Sequence, residues 1–158
     1  MKIKAFLDTN VILDLFLEGR KSTPASNAIF QAVFDGKIEA VITTQSLLDA
    51  YYIYCDAQNG EWNLFLNLVN RILNYVNVDA IQTFDLRWAG QHFSGDFEDD
   101  AQLSRALDTC CDVYVTNDKK FRARHSVGHE YLQFMSPDEF LARMTLSTDT
   151  PAPSLSRR

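Results

Sequence analysis

The sequence predicts an α/β fold, a single domain with a mostly parallel β-sheet flanked by helices. Short apolar runs of strand length alternate with longer stretches of helical periodicity. That alternation is the mark of βαβ crossovers, which leave successive strands parallel and cover the sheet with helices. No repeat or linker divides the 158 residues, a length that suits one domain with a sizeable core. A hydrophobic content of 46% with 11 Phe argues for a globular fold over disorder.

Residues 2–8 read as the first strand. Residues 10–18 read as a helix, on which Val11, Leu13, Leu15, Phe16 and Leu17 form a broad apolar face. Ser22-Thr23-Pro24 opens a second helix, since Pro is tolerated in the first turn, and this one ends near Gly36. Ala40-Val41-Ile42-Thr43 is a short strand. Thr44 then caps a helix to about residue 57, where Asn59-Gly60 breaks it. Trp62, Phe65, Leu68, Val69 and Ile72 recur at three- and four-residue spacings and mark another helix. Residues 76–81 alternate like a strand, and 84–93 and 96–107 read as helices on either side of the Ser94-Gly95 turn. Residues 112–116 and 131–135 are the last strands, with Asn117-Asp118-Lys119 read as a turn and Ser136-Pro137-Asp138 starting a short final helix. The domain is expected over residues 1–145. Residues 146–158, rich in Ser, Thr, Pro and Arg, are expected to be a disordered tail.

Several function classes are disfavoured. No apolar run reaches membrane-spanning length, and the first apolar stretch stops at Asp8, unlike a secretory signal, so a cytoplasmic location is expected. Cys55, Cys110 and Cys111 are odd in number and lack metal-ligand spacing, which fits thiols in a reducing compartment. His125 and His129 are four apart, but the intervening Ser126-Val127-Gly128 is a poor helix former, so a zinc site has little support. No Walker loop or dinucleotide glycine pattern occurs. The net charge of −6 is unevenly spread. Basic residues gather in Arg105, Lys119, Lys120, Arg122 and Arg124, with Arg20 and Lys21 after the first helix, so a basic pole is expected beside Asp118.

Four separated acidic points carry the functional reading. Asp8 stands at the seam between the first strand and its helix, and open α/β sheets bind ligands at the carboxyl ends of their strands. Its bland alternative is a helix cap, although Thr9 or Asn10 could fill that role and leave Asp8 free. Asp49 interrupts an apolar helix with no cationic neighbour at three or four residues; it is either exposed or needs a tertiary partner or a metal. In the knot Asp96-Phe97-Glu98-Asp99-Asp100, helical phase aligns Asp99 with Leu103, Ala106 and Cys110 on the inward face. The same phase turns Asp100 toward the rim, points Glu98 away and leaves Asp96 before the helix or at its cap. Asp118 follows the last residues of a strand, with Thr116 at the strand end able to orient a carboxylate or water. Together the four points suggest one divalent-metal site.

These segments resemble the PIN-domain family, which includes VapC-type ribonuclease toxins. The resemblance is carried by Phe6-Leu7-Asp8-Thr9-Asn10-Val11-Ile12-Leu13, by Thr43-Thr44-Gln45-Ser46-Leu47-Leu48-Asp49, by residues 96–103 and by residues 113–121. It implies an endoribonuclease that hydrolyses RNA phosphodiesters with Mg²⁺ or Mn²⁺. Asp8, Asp49, Asp99 and Asp118 would be the metal ligands, with Asp8, Asp99 and Asp118 catalytic and Asn10, Thr116, Asp100 and Asp96 in support. Lys119, Lys120, Arg122 and Arg124 would hold RNA phosphates. A homodimer and an inhibitory antitoxin are further implications. Asp49 stands where Glu is commoner in such toxins, which keeps alive a non-catalytic PIN-like module that binds RNA or protein. A third reading is a Mg²⁺-dependent phosphoryl-transfer domain with Asp8 as nucleophile, but Asn10 occupies the place where a second carboxylate is usual.

Overall fold

In a computed structural model that describes residues 2–57 and 62–148, five parallel strands form one sheet. In chain order the elements are β1 (Lys4–Leu7), α1 (Thr9–Phe16), α2 (Thr23–Phe34), β2 (Glu39–Thr43), α3 (Thr44–Ala57), α4 (Trp62–Tyr75), β3 (Asn77–Asp79), α5 (Thr83–Gln91), α6 (Phe97–Asp108), β4 (Val113–Val115), α7 (Lys119–His125), β5 (Gln133–Met135) and α8 (Pro137–Thr148). The strand order is β3-β2-β1-β4-β5. The chain leaves β1 toward β2 on one side and returns with β4 on the other, so a topological switch point lies between β1 and β4.

Every strand pair is parallel, with Phe6 opposite Tyr114 and Leu7 opposite Val115. Strand side chains alternate between faces, and both faces are buried here. Ala5, Leu7, Val113 and Val115 point into a core closed by α1–α4 and α8, whereas Phe6, Val41 and Tyr114 meet Leu103, Ala106 and Phe121 of α6 and α7. Phe6 and Tyr114 stack at 4.9 Å, and Tyr114 continues onto Phe121 at 5.0 Å.

The expected fold is present, with differences at its edges. The stretch read as a turn plus a charged loop contains α7, whose first turn is capped by Asp118 and whose Phe121 and His125 face inward. α3 is capped one residue earlier than expected, because Thr43 Oγ1 accepts the Ser46 N–H at 3.0 Å. α8 reaches Thr148, three residues past the expected boundary at 145, and the tail expected beyond it falls outside the described residues. The Asn59-Gly60 break also lies outside them. No helix among the described residues is long and apolar enough to cross a membrane.

Arg105 is a correction. Instead of joining a basic pole, it is buried, donating from Nε to Asp85 at 3.0 Å and from Nη1 to Asp108 at 2.9 Å; Ser104 Oγ completes Asp85 at 2.8 Å. This clip pins α5 to α6. Removing Arg105 would strand a buried, unpaired Asp85. Arg105→Ala should therefore cost about 3–5 kcal/mol in urea unfolding, whereas Lys37→Ala at the exposed Asp35 pair should leave stability nearly unchanged.

Candidate active site at the carboxyl ends of β1 and β4

Asp8 continues the β1 alternation in extended backbone (φ −64°, ψ 156°), so its side chain falls on the Phe6 face, toward α6. It occupies the N-cap position of α1 yet makes no side-chain capping bond. Its carboxylate is instead directed sideways. Thr116, just past β4, donates from Oγ1 to Asp8 Oδ2 at 2.6 Å, while Asn10 Nδ2 lies 3.4 Å from the same oxygen. The strand adjacency makes this contact possible, since the Asp8 N–H itself bonds the Val115 carbonyl at 3.1 Å. Burial pushes the Asp8 carboxyl above its ordinary range. Thr116, the Thr9 backbone and Asn10 oppose that rise, and the charge of Asp118 adds to it.

Asp118 caps α7 through Oδ1, which accepts the N–H groups of Lys120 at 2.7 Å and Phe121 at 3.0 Å. Its own N–H donates to Thr116 Oγ1 at 3.0 Å, so one hydroxyl ties the two acids together. Both capping bonds use Oδ1, and among the described residues Oδ2 carries no hydrogen bond.

The acidic knot divides by helix phase. Asp96 is the N-cap of α6, accepting from Glu98 and Asp99 N–H at 3.0 and 3.2 Å. Asp99 turns toward the strand ends. Burial, then the charges of Asp8, Asp96, Asp118 and Glu98, raise its carboxyl to about 7. Asp100 does not lie at the rim as its phase suggested. It is wholly buried, accepting from Ser94 N at 2.7 Å and Ser94 Oγ at 2.6 Å, with His125 Nε2 at 3.8 Å. It locks the turn before α6. Cys110, expected on the inward face, lies beyond the helix and is exposed.

Glu98, expected to point away, is exposed, and Gln102 Nε2 donates to it at 3.0 Å; burial of part of its side chain, then the charges of Asp49, Asp96 and Asp8, raise its carboxyl. Asp49 is half-buried and satisfied in part by Gln45 Nε2 at 2.8 Å, so it is not stranded as feared.

The basic run does not form one patch. Arg122 Nη1 donates to the Thr116 carbonyl at 3.0 Å, directly beneath the acids, whereas Arg124 Nη1 is spent on the Ser94 carbonyl at 2.7 Å. Lys119 and Lys120 are exposed.

The donor chemistry suits a hard divalent cation: several carboxylate oxygens and a hydroxyl, with no ion-pair partner for Asp8, Asp99 or Asp118 among the described residues. Two buried hydroxyls at the site, those of Thr9 and Tyr114, also lack a partner there, which a hydrated ion would supply. Burial, followed by the charges of Asp8 and Asp99, raises the Tyr114 phenol, placing it against the same acids. The group is open, since no three such side chains among the described residues already stand close enough to share one ion.

A family model of the PIN domain matches residues 4–120. The chain belongs to the PIN-domain family. Two solved structures share this PIN fold. VapC20 from Mycobacterium tuberculosis, described as a sarcin-ricin-loop-cleaving toxin, has a TM-score of 0.62 at 13% identity, over 77% of this chain and 95% of its own. PAE2754 from Pyrobaculum aerophilum has a TM-score of 0.61 at 16% identity, over 91% and 90%. No curated protein matches by sequence.

The raised Asp99 has a measurable consequence. Between the ordinary carboxylate value of 3.8 and about 7, the folded PIN domain keeps a proton that the unfolded chain has released. Stability without metal should therefore fall as pH rises through that window. Urea unfolding in EDTA across the window should show the decline, and Asp99→Asn should flatten it.

Proposed function

We propose that this PIN domain is a metal-dependent endoribonuclease that hydrolyses RNA phosphodiester bonds, acting as the toxin of a toxin–antitoxin pair. The observation that carries the reading is the convergence of Asp8, Asp99 and Asp118, uncompensated, at the switch point of a PIN fold. Family members are typically ribonucleases. Asp8, Asp99 and Asp118 would hold Mg²⁺ or Mn²⁺, with Glu98 and Asp49 closing the acidic group on the α3 side. The bound ion would offset charge on the phosphoryl oxygens and acidify an attacking water. Thr116 keeps Asp8 and Asp118 in register, and its donated hydrogen bond favours the charged form of Asp8 against the larger effect of burial. Asp99, raised to about 7 without metal, would give up its proton on binding the ion.

Exposed apolar side chains on α3 and α4 support a homodimer. Leu48 and Tyr52 on α3, with Trp62, Leu66 and Leu73 on α4, are each more than half exposed. An antitoxin is the partner the toxin reading requires.

Asp8→Asn and Asp118→Asn should each lower Mn²⁺-dependent cleavage of single-stranded RNA by at least about a hundredfold. Neither should lower the melting temperature in EDTA, because each removes a repelling charge. Undiminished cleavage by either variant would refute the assignment. Asp99→Asn should weaken Mn²⁺ binding in calorimetric titration. Asp100→Asn should instead lower the melting temperature, since Asp100 bonds Ser94 rather than facing the strand ends.

A further inference from the structure

We propose that the basic cleft beside Asp118 is a phosphate-binding subsite that carries one flank of a single-stranded RNA away from the acidic centre. It rests on the ribonuclease reading and adds the path of the substrate. The cleft, about 680 Å³ in volume, is walled by Arg20, Lys21 and Ser22 from the α1–α2 connection and by Asn117, Lys119 and Arg122 around the start of α7. Asn117 and Lys119 are the chain neighbours of Asp118, so the cleft lies beside the loop that bears this acid.

The fourth side is the start of α8, where Ser136, Asp138 and Glu139 line the cleft. Glu139 is spent there, accepting the Ser136 N–H at 2.7 Å in a capping arrangement while lying 3.7 Å from Arg122. Four basic side chains (Arg20, Lys21, Lys119, Arg122) face two acidic ones (Asp138, Glu139). Lys21 and Lys119 are exposed and have no ion-pair partner among the described residues.

The wall is built from inside. Asp14, 1% exposed, accepts from Arg20 Nε at 2.6 Å, Ser22 Oγ at 2.6 Å, Ser26 Oγ at 2.7 Å and Asn117 Nδ2 at 3.2 Å. Asn117 also donates to Ser22 Oγ at 2.9 Å. One buried carboxylate thereby fixes the α1–α2 turn against the loop that bears Asp118. Arg20 gives only Nε to Asp14, which leaves its terminal nitrogens as donors for a phosphate at the cleft. Arg122 is anchored on the Thr116 carbonyl. The two arginines of the cleft are thus set in fixed register with the acidic centre, and the exposed Lys21 and Lys119 stand beside them. Lys120 and Arg124, although contiguous in sequence, do not line it.

The test uses a fluorescently labelled single-stranded RNA, with anisotropy read over a range of KCl concentrations in EDTA on an Asp8→Asn background that keeps the RNA intact. Lys21→Ala with Lys119→Ala should weaken binding about tenfold and flatten the slope of log affinity against log salt by about 1.4, two contacts at about 0.7 each on a single strand. Lys120→Ala with Arg124→Ala should change affinity less than about twofold, and Asp138→Asn should tighten it. A DNA oligonucleotide of the same sequence should lose the same factor, because the contacts are to phosphate. An unchanged slope for the cleft pair, or equal losses from the two pairs, would overturn the subsite. If the unsubstituted protein cleaves RNA with Mn²⁺ while the cleft pair keeps its slope, the subsite alone falls. If the unsubstituted protein neither cleaves nor binds RNA, the ribonuclease reading falls with it.

Discussion

Mutual repulsion among carboxylates is the constraint around which this molecule is arranged. Asp8, Asp99 and Asp118 face one another without a basic partner among the described residues, and burial, with the charges of its neighbours added, raises Asp99 to about 7. Like charges at short range drift apart unless their backbones are fixed. Here the fixing is done by adjacency of β1 and β4, by the Thr116 hydroxyl shared between two acids, and by two helix starts, α6 and α7, aimed at the same point. An acidic site of this kind destabilises the fold that holds it, a familiar exchange at functional sites.

The offset lies in the polar interior nearby. Asp85 with Arg105 and Ser104, Asp100 with Ser94, and Asp14 with four donors are buried carboxylates, each supplied with partners. They pin α5 to α6, the Ser94 turn to α6, and the α1–α2 turn to the loop that bears Asp118. Acids in this protein thus serve two opposite ends. Asp14, Asp85 and Asp100, wholly enclosed by donors, act as rivets; Asp8, Asp99 and Asp118, with no cationic partner among the described residues, form the acidic centre. Asp99 and Asp100 show the division most sharply, as adjacent residues whose helical directions differ by about a quarter turn.

Much of this was legible in the chain. The alternation of strand and helix patterns predicted the parallel sheet, and apolar runs ending in Asp8 and in Thr116-Asn117-Asp118 placed acids at strand ends. Helix phase chose Asp99 over Asp100 for the acidic centre. What phase could not supply was the fate of Asp100, because its partner Ser94 lies in a turn whose conformation is set by tertiary packing. The helix α7 was overlooked because a run of Lys and Arg reads as a solvated loop, although Asp118 as cap and the Phe121–His125 spacing were both present. Arg105 was assigned to the basic pole on linear proximity alone, when three acids from separate elements were waiting for it.

The hydrogen bond between Asp8 and Thr116 spans 108 positions of the chain. Its two strands can pair only after β2, β3 and the six helices α1 to α6 have been produced and folded back, a closure with an entropic cost and slow kinetics. During synthesis from the N-terminus, Asp8 therefore waits until a further 108 residues have been made before it meets Thr116. A fragment released early has a strand, a helix and an isolated carboxylate, and no catalytic group. For a chain whose proposed activity would damage the cell's own RNA, the order of assembly is itself a safeguard, delaying competence until the whole domain exists.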